Sequence, residues 1–148
     1  MHAWLPCPGS LEWKGKFQRH GGVQAMHRIF LKAKIHRAKI TAACLDYEGS
    51  LSIDQSLMDQ ADIAEYEQVG VYNLSNGERF DTYAIPGSEG SGEICLNGAA
   101  ARKGQPGDLV IITTYALLDA EEIATHQPKV ILLDENNRSR RVVAMTSR

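Results

Sequence analysis

The stretch Val69-Gly70-Val71-Tyr72-Asn73-Leu74-Ser75-Asn76-Gly77-Glu78-Arg79-Phe80-Asp81-Thr82-Tyr83-Ala84-Ile85 decides the class of fold. β-Branched and aromatic residues flank Asn76-Gly77, a pair that tolerates positive φ, and the segment predicts a type I′ hairpin between strands Val69–Leu74 and Arg79–Ile85. Upstream, Arg28 to Leu45 is rich in Ile, Leu and Ala with interleaved Lys and Arg, and reads as one long strand or two. Gln55 to Ala61 follows Asp54, a good N-cap, and puts Leu57, Met58 and Ala61 on one helical face. Downstream, Ile94–Leu96 and Leu109–Thr114 read as short strands separated by Gly104, Pro106 and Gly107. Asp119 and Glu122 form an approximate capping box for a short helix before Pro128. Val130–Leu133 reads as a last strand, and the Asn- and Arg-rich segment after it as solvated. Many short strands with two small helices predict a mainly β chain folded as a compact β-barrel.

The 148 residues fit one domain. Hydrophobic residues make up 43% and charged residues 23%, an ordinary globular balance, and the net charge of −2 gives no electrostatic case for nucleic acid or an anionic membrane. No apolar run approaches the roughly 18 residues of a membrane-spanning helix. Residues 1–25, broken by Pro6, Pro8, Gly9, Gly15, Gly21 and Gly22, lack periodicity, and a second methionine, Met26, opens the patterned region. They read as a disordered leader, an over-early start or a cloning remnant, with the barrel over 26–142 and a flexible tail over 143–148. Cys7, Cys44 and Cys95 are odd in number and outside any CxxC spacing, which points to a reducing cytoplasm. The histidines show no metal-ligand spacing, so no metal is expected.

Tyr47-Glu48-Gly49-Ser50 changes the functional reading. Gly-Ser alone is a common turn dipeptide. Here it stands in order with Lys34-Ile35-His36-Arg37, with Asn76-Gly77-Glu78-Arg79-Phe80-Asp81-Thr82-Tyr83-Ala84-Ile85 and with Asn97-Gly98-Ala99-Ala100-Ala101. Together these stretches resemble the pyruvoyl-dependent aspartate 1-decarboxylases, and the resemblance runs from about Met26 to about Val142. It implies a double-psi β-barrel, assembled as a homotetramer and made as an inactive precursor. Self-cleavage between Gly49 and Ser50 would convert Ser50 into a covalent pyruvoyl group, without pyridoxal phosphate. That group would form a Schiff base with L-aspartate and yield β-alanine, which feeds pantothenate and coenzyme A biosynthesis. Whether a maturation factor assists stays open.

The resemblance also implies roles. Arg79 would grip a substrate carboxylate with two parallel donors, and Lys34 would add a second positive charge. Tyr83 would donate the proton to the carbanion. Thr82 and Asn97 would surround the Gly49–Ser50 carbonyl and stabilise its oxyanion during self-cleavage. Backbone N–H groups of Gly98, Ala99 and Ala100 would line the pocket. The resemblance implies active sites shared between subunits, and strand geometry agrees. Arg79 and Tyr83, four apart in a strand, are separated by roughly 13 Å at about 3.3 Å per residue, further than aspartate spans.

Without the resemblance these residues read more plainly. Arg79 and Lys34 would be solvated strand residues, Tyr83 a core tyrosine with a wet hydroxyl, and Cys95 a small core residue. His36 receives no catalytic role, and the part played by Tyr72 in shaping the pocket is open. Two other functions fit a Gly-Ser site. A hydrolase could keep Ser50 as an N-terminal nucleophile, and a barrel that neither cleaves nor catalyses could serve as an interaction module.

Overall fold

The computed structural model describes residues 26–144; the leader expected over 1–25 and residues 145–148 of the expected tail lie outside them. Its strands are β1 (Arg28–Lys39), β2 (Ala42–Cys44), β3 (Ser50–Asp54), β4 (Gln68–Asn73), β5 (Arg79–Gly87), β6 (Ile94–Asn97), β7 (Leu109–Leu118), β8 (Lys129–Leu133) and β9 (Ser139–Ala144). Helix α1 spans Gln55–Ala61, α2 spans Ala120–Thr125, and a 3-10 helix spans Gly98–Lys103.

The ladder order is β2-β6-β3-β5-β4-β7-β1-β8-β9. Because β1 and β2 are consecutive in the chain, residues 28–44 stand at both ends of the first seven places. The crossing is hydrogen-bonded on both sides: Ile40 N donates to Asp108 O at 2.9 Å and Thr41 N to Ile94 O at 2.8 Å. The sheet therefore returns upon itself, and full closure leaves no edge along this seam. The β8–β9 hairpin extends the ladder by the parallel pairing of β8 with β1. This is the mainly β, small barrel with short helices that the sequence predicts.

Alternation fills the interior. Ala33 and Ile35 of β1, Val69 and Val71 of β4, and Val110 and Ile112 of β7 are all fully buried. Strict alternation would next turn Arg37 inward. Instead the register with β7 shifts between His36 and Ala38, Arg37 takes φ 63°, and Ala38 and Ile40 point into the core. One bulge keeps a charge out and the apolar set in.

The hairpin forms, but not through a type I′ turn. Only Gly77 has positive φ, at 80°. Asn73 N donates to Glu78 O at 2.8 Å and Gly77 N to Asn73 O at 3.0 Å, closing a four-residue loop over 74–77. The buried Asn73 carboxamide accepts the N–H of Ser75 at 2.9 Å and starts the turn early. The segment after β8 also differs from the solvated expectation. Asn137 is buried: its Oδ1 accepts from Lys39 N at 2.7 Å, and its Nδ2 donates to Lys39 O and Gly92 O at 2.8 Å. Its partners lie far away in sequence, so local composition carried no sign of them.

Helix α2 has the expected capping box: Asp119 accepts from Glu121 N and Glu122 N, and Glu122 accepts from Asp119 N, all at 2.9 Å. At α1, Asp54 caps Ser56 N at 2.8 Å and also accepts from Gly90 N at 2.8 Å and Gly92 N at 2.6 Å. Burial pushes this carboxyl up, but the N–H donors of Gly92, Gly90 and Ser56 outweigh it and hold Asp54 below the ordinary aspartate value. A depressed folded-state value means that the stabilisation is fully present above the unfolded value, about 3.9. It is lost as pH falls through the lower folded value. Asp54→Asn is therefore expected to cost about 2–4 kcal/mol near neutral pH and to flatten the acid limb of the stability curve, measured by denaturant titration across pH.

Candidate active site

Strands β3 and β6 run antiparallel, with Ser50 opposite Asn97 and Ser52 opposite Cys95. The chain enters β3 through two consecutive residues, Gly49 and Ser50, each with φ 105°. Glycine adopts this readily; a serine there is strained by on the order of 1–3 kcal/mol and needs its surroundings to hold it. The surroundings are specific. Ser50 is 2% exposed, and Asn97 Nδ2 donates to its Oγ at 3.1 Å and to Ser52 Oγ at 2.9 Å. The thiol of Cys95 donates to Asn97 Oδ1 at 3.3 Å.

The 3-10 helix begins at Gly98, whose φ is 58°. A Cβ on Gly98 would lie 2.6 Å from Tyr47 O, 2.7 Å from Gly49 N and 2.8 Å from Gly49 Cα. The segment leading to Ser50 thus rests directly on Gly98. The small side chains that follow let Ala99 and Ala100 line a cavity of about 260 Å³ with Ser50, Thr82, Tyr83 and Asn97. A second, larger cavity of about 600 Å³ is bordered by Tyr47, Glu48, Glu65 and Tyr66. Gly49, Ser50 and Tyr83 line both. Both residues of the Gly49–Ser50 bond thus border two cavities, although the serine itself is buried.

Gly49, Ser50, Thr82, Tyr83, Asn97, Ala99 and Ala100 therefore come together, with Gly98 as the support beneath. Arg79 and Lys34 line neither cavity. Arg79 carries its guanidinium 3.8 Å above the ring of Tyr72, a cation–π contact, and the Tyr72 and Tyr115 hydroxyls are 3.0 Å apart. Hydrogen bonds with Thr113 and Tyr115, aided by the Arg79 charge, hold Tyr72 below the ordinary tyrosine value against burial. Lys34 stands on β1 opposite Thr113, half-buried on the outer face of the sheet. Two residues along, burial above all, then the charges of Lys34 and Arg37, hold His36 below its ordinary value, and its Nδ1 is buried without a partner.

Sequence reasoning gave no role to Phe80 and Asp81, although both stand in a quoted motif and line the smaller cavity. It missed Lys103, which also lines it, and Tyr66, whose ring centroid lies 6.2 Å from that of Tyr83. Nothing local marks the last two; Tyr66 arrives because its N–H donates to Ala84 O at 2.8 Å, beside Tyr83. Cys95 is buried as expected, but within a polar cluster. Among the described residues no group of three or more His, Cys, Asp or Glu side chains is placed to hold a metal ion, and no helix is long and apolar enough to cross a membrane.

A family model described as aspartate decarboxylase matches residues 26–140. Among similar proteins, the aspartate 1-decarboxylase of Syntrophobacter fumaroxidans is 66% identical over 113 residues, covering 76% of this chain and 91% of that one. That of Ralstonia pickettii is 58% identical, covering 76% and 94%, and that of Ralstonia nicotianae 54% identical over 120 residues, covering 81% and 100%.

The contact of Gly98 with the 47–49 segment yields a test of the geometry alone. Gly98→Ala adds a Cβ against backbone atoms at a left-handed position. It is expected to lower stability by about 2–4 kcal/mol in thermal denaturation, well beyond the cost of an alanine in an open left-handed turn.

Proposed function

The chain belongs to the aspartate decarboxylase family, and from that premise we propose that it releases carbon dioxide from L-aspartate to give β-alanine. It is made as a zymogen that cuts itself between Gly49 and Ser50 and turns Ser50 into a pyruvoyl group. The observation that carries this reading is Ser50 itself, buried, in a left-handed conformation, bound to Asn97 and lining two cavities.

In self-cleavage the Ser50 Oγ bonds to the Gly49 carbonyl carbon, the C–N bond breaks, and the hydroxyl proton ends on the nitrogen of residue 50. Gly49 has no side chain to obstruct the attack, and cleavage relieves the strained serine backbone. Thr82 stabilises the oxyanion of the tetrahedral adduct, while Asn97, whose Nδ2 donates to Ser50 Oγ and Ser52 Oγ, holds the attacking oxygen. Loss of the residue 50 Cα proton then breaks the Cβ–O bond, freeing Gly49 as a carboxylate and leaving a dehydroalanine. Water replaces its nitrogen, which leaves as ammonia. When present, the pyruvoyl carbonyl supplies an electrophile for the substrate amine and a sink for the electrons released with carbon dioxide.

The other residues bind and move protons. Arg79 clamps one substrate carboxylate and Lys34 balances the second charge. Tyr83, on the wall of both cavities, holds the proton delivered to Cα. The N–H groups of Gly98, Ala99 and Ala100 line the pocket. Arg79 stacked on Tyr72, together with its distance of roughly 13 Å along β5 from Tyr83, supports an active site shared between subunits. A cyclic homotetramer brings Arg79 and Lys34 of one copy to face residue 50, Tyr83 and Asn97 of the next. The β-alanine feeds pantothenate and coenzyme A biosynthesis in the cytoplasm, a setting that the free thiols of Cys44 and Cys95 support.

Carbon dioxide release from L-aspartate is expected without added pyridoxal phosphate and is expected to stop with hydroxylamine, which traps ketones. Arg79→Ala should lower kcat/KM by about 10²–10³-fold while still self-cleaving. Tyr83→Phe should lower kcat by about 10²–10⁴-fold. Reassembled together, these two variants should regain a fraction of wild-type turnover; mixed oligomers without recovery would place each site within one chain.

A further inference from the structure

We infer that Cys95 is a positioning residue for self-cleavage: its thiol sets which end of the Asn97 carboxamide meets Ser50. The inference rests on the self-processing reading above. Ser50, Ser52, Cys95 and Asn97 form a two-by-two patch across the β3–β6 ladder, with Ser50 opposite Asn97 and Ser52 opposite Cys95. All four are buried. A carboxamide has an accepting end and a donating end of almost the same shape, so only its partners decide which way it lies. Two of its partners, Ser50 Oγ and Ser52 Oγ, are hydroxyls that serve equally as donor or acceptor. They would tolerate either orientation. Cys95 breaks the tie, because a thiol is a usable donor and a poor acceptor. Its S–H lies 3.3 Å from Asn97 Oδ1. Burial first, and the charge of Glu93 second, push the thiol above its ordinary value, so the donor proton stays in place.

The orientation matters to the chemistry. With Nδ2 toward Ser50, an N–H donor sits on the oxygen that becomes the ester oxygen and then departs with Gly49 as part of a carboxylate. Negative charge grows on that atom as the Cβ–O bond breaks, and a fixed donor stabilises it. Turned the other way, Oδ1 would face the same oxygen and repel the growing charge. Ser52 Oγ accepts the second Nδ2 proton at 2.9 Å.

The test is the rate at which newly synthesised full-length chain is cut, followed by intact mass in a cell-free translation. Cys95→Ser still offers a donor but can also accept, so it weakens the bias and should cut at a rate between wild type and Cys95→Val. Cys95→Val fills the space without a donor and should slow cutting about 3- to 10-fold, the size expected of one hydrogen bond. Cys95→Ala should be slowed at least as much. Cys95→Val or Cys95→Ala cutting at the wild-type rate would overturn the role of Cys95 while leaving self-processing intact. Cys95→Ser cutting more slowly than Cys95→Val would also overturn it, since the site would then need the sulfur's bulk and not its proton. A wild-type chain that is never cut would overturn both this role and the self-processing reading.

Discussion

The hydrogen bond from Asn97 to Ser50 is the interaction on which the site depends. It ties the last residue of β6 to the first of β3 at the point where two successive residues adopt positive φ. A serine in that conformation is unfavourable by itself, so the barrel must over-determine it. It does so from three sides. The β3–β6 ladder fixes the backbone after residue 50, Gly98 blocks the approach beneath residues 47–49, and the parallel pairing of β3 with β5 brings Thr82 and Tyr83 alongside. Barrel closure through residues 28–44 is what lets β6 face β3 and β2 at once.

Within one chain the charge around Ser50 is not that of a site for a dianion: Asp81 lines the smaller cavity and Asp46, Glu48 and Glu65 the larger. Lys103, the cation lining the smaller cavity, is paired with Glu78 at 2.7 Å. The guanidinium that would grip a carboxylate is held elsewhere, above Tyr72, by a contact that fixes its plane. Within one chain, the reacting atom and the candidate carboxylate clamp are separate. The shared site proposed above would bring the clamp of a second copy to the reacting atom.

The parts legible in the sequence were those decided by neighbours along the chain. Asp54 announced α1, Asp119 and Glu122 announced α2, and apolar and β-branched runs announced β1 and β4 to β8, because caps and pleats are local; β3 and β9 were not announced. Parts decided by remote backbone were not legible. Asn137 is an unremarkable loop residue until Lys39 and Gly92 are placed beside it. The type I′ reading of Asn76-Gly77 failed for a related reason, since Asn73, three residues earlier, takes over the turn with its own side chain. In the site, the motif residues around Gly49–Ser50 were legible through family resemblance. Tyr66 and Lys103 were not, as they carry no local signal. Cys95 was read correctly as buried and small, and its hydrogen bond to Asn97 became visible only with β3 and β6 in register.

The most direct measurement is the intact mass of the purified protein under denaturing conditions. The account predicts two polypeptides, one ending at Gly49 and one beginning at residue 50, the latter lighter by one ammonia than a chain led by serine. Ser50→Ala should give a single uncut chain. A larger fragment led in most molecules by an unmodified serine, or a wild-type chain that stays whole on prolonged incubation, would contradict it.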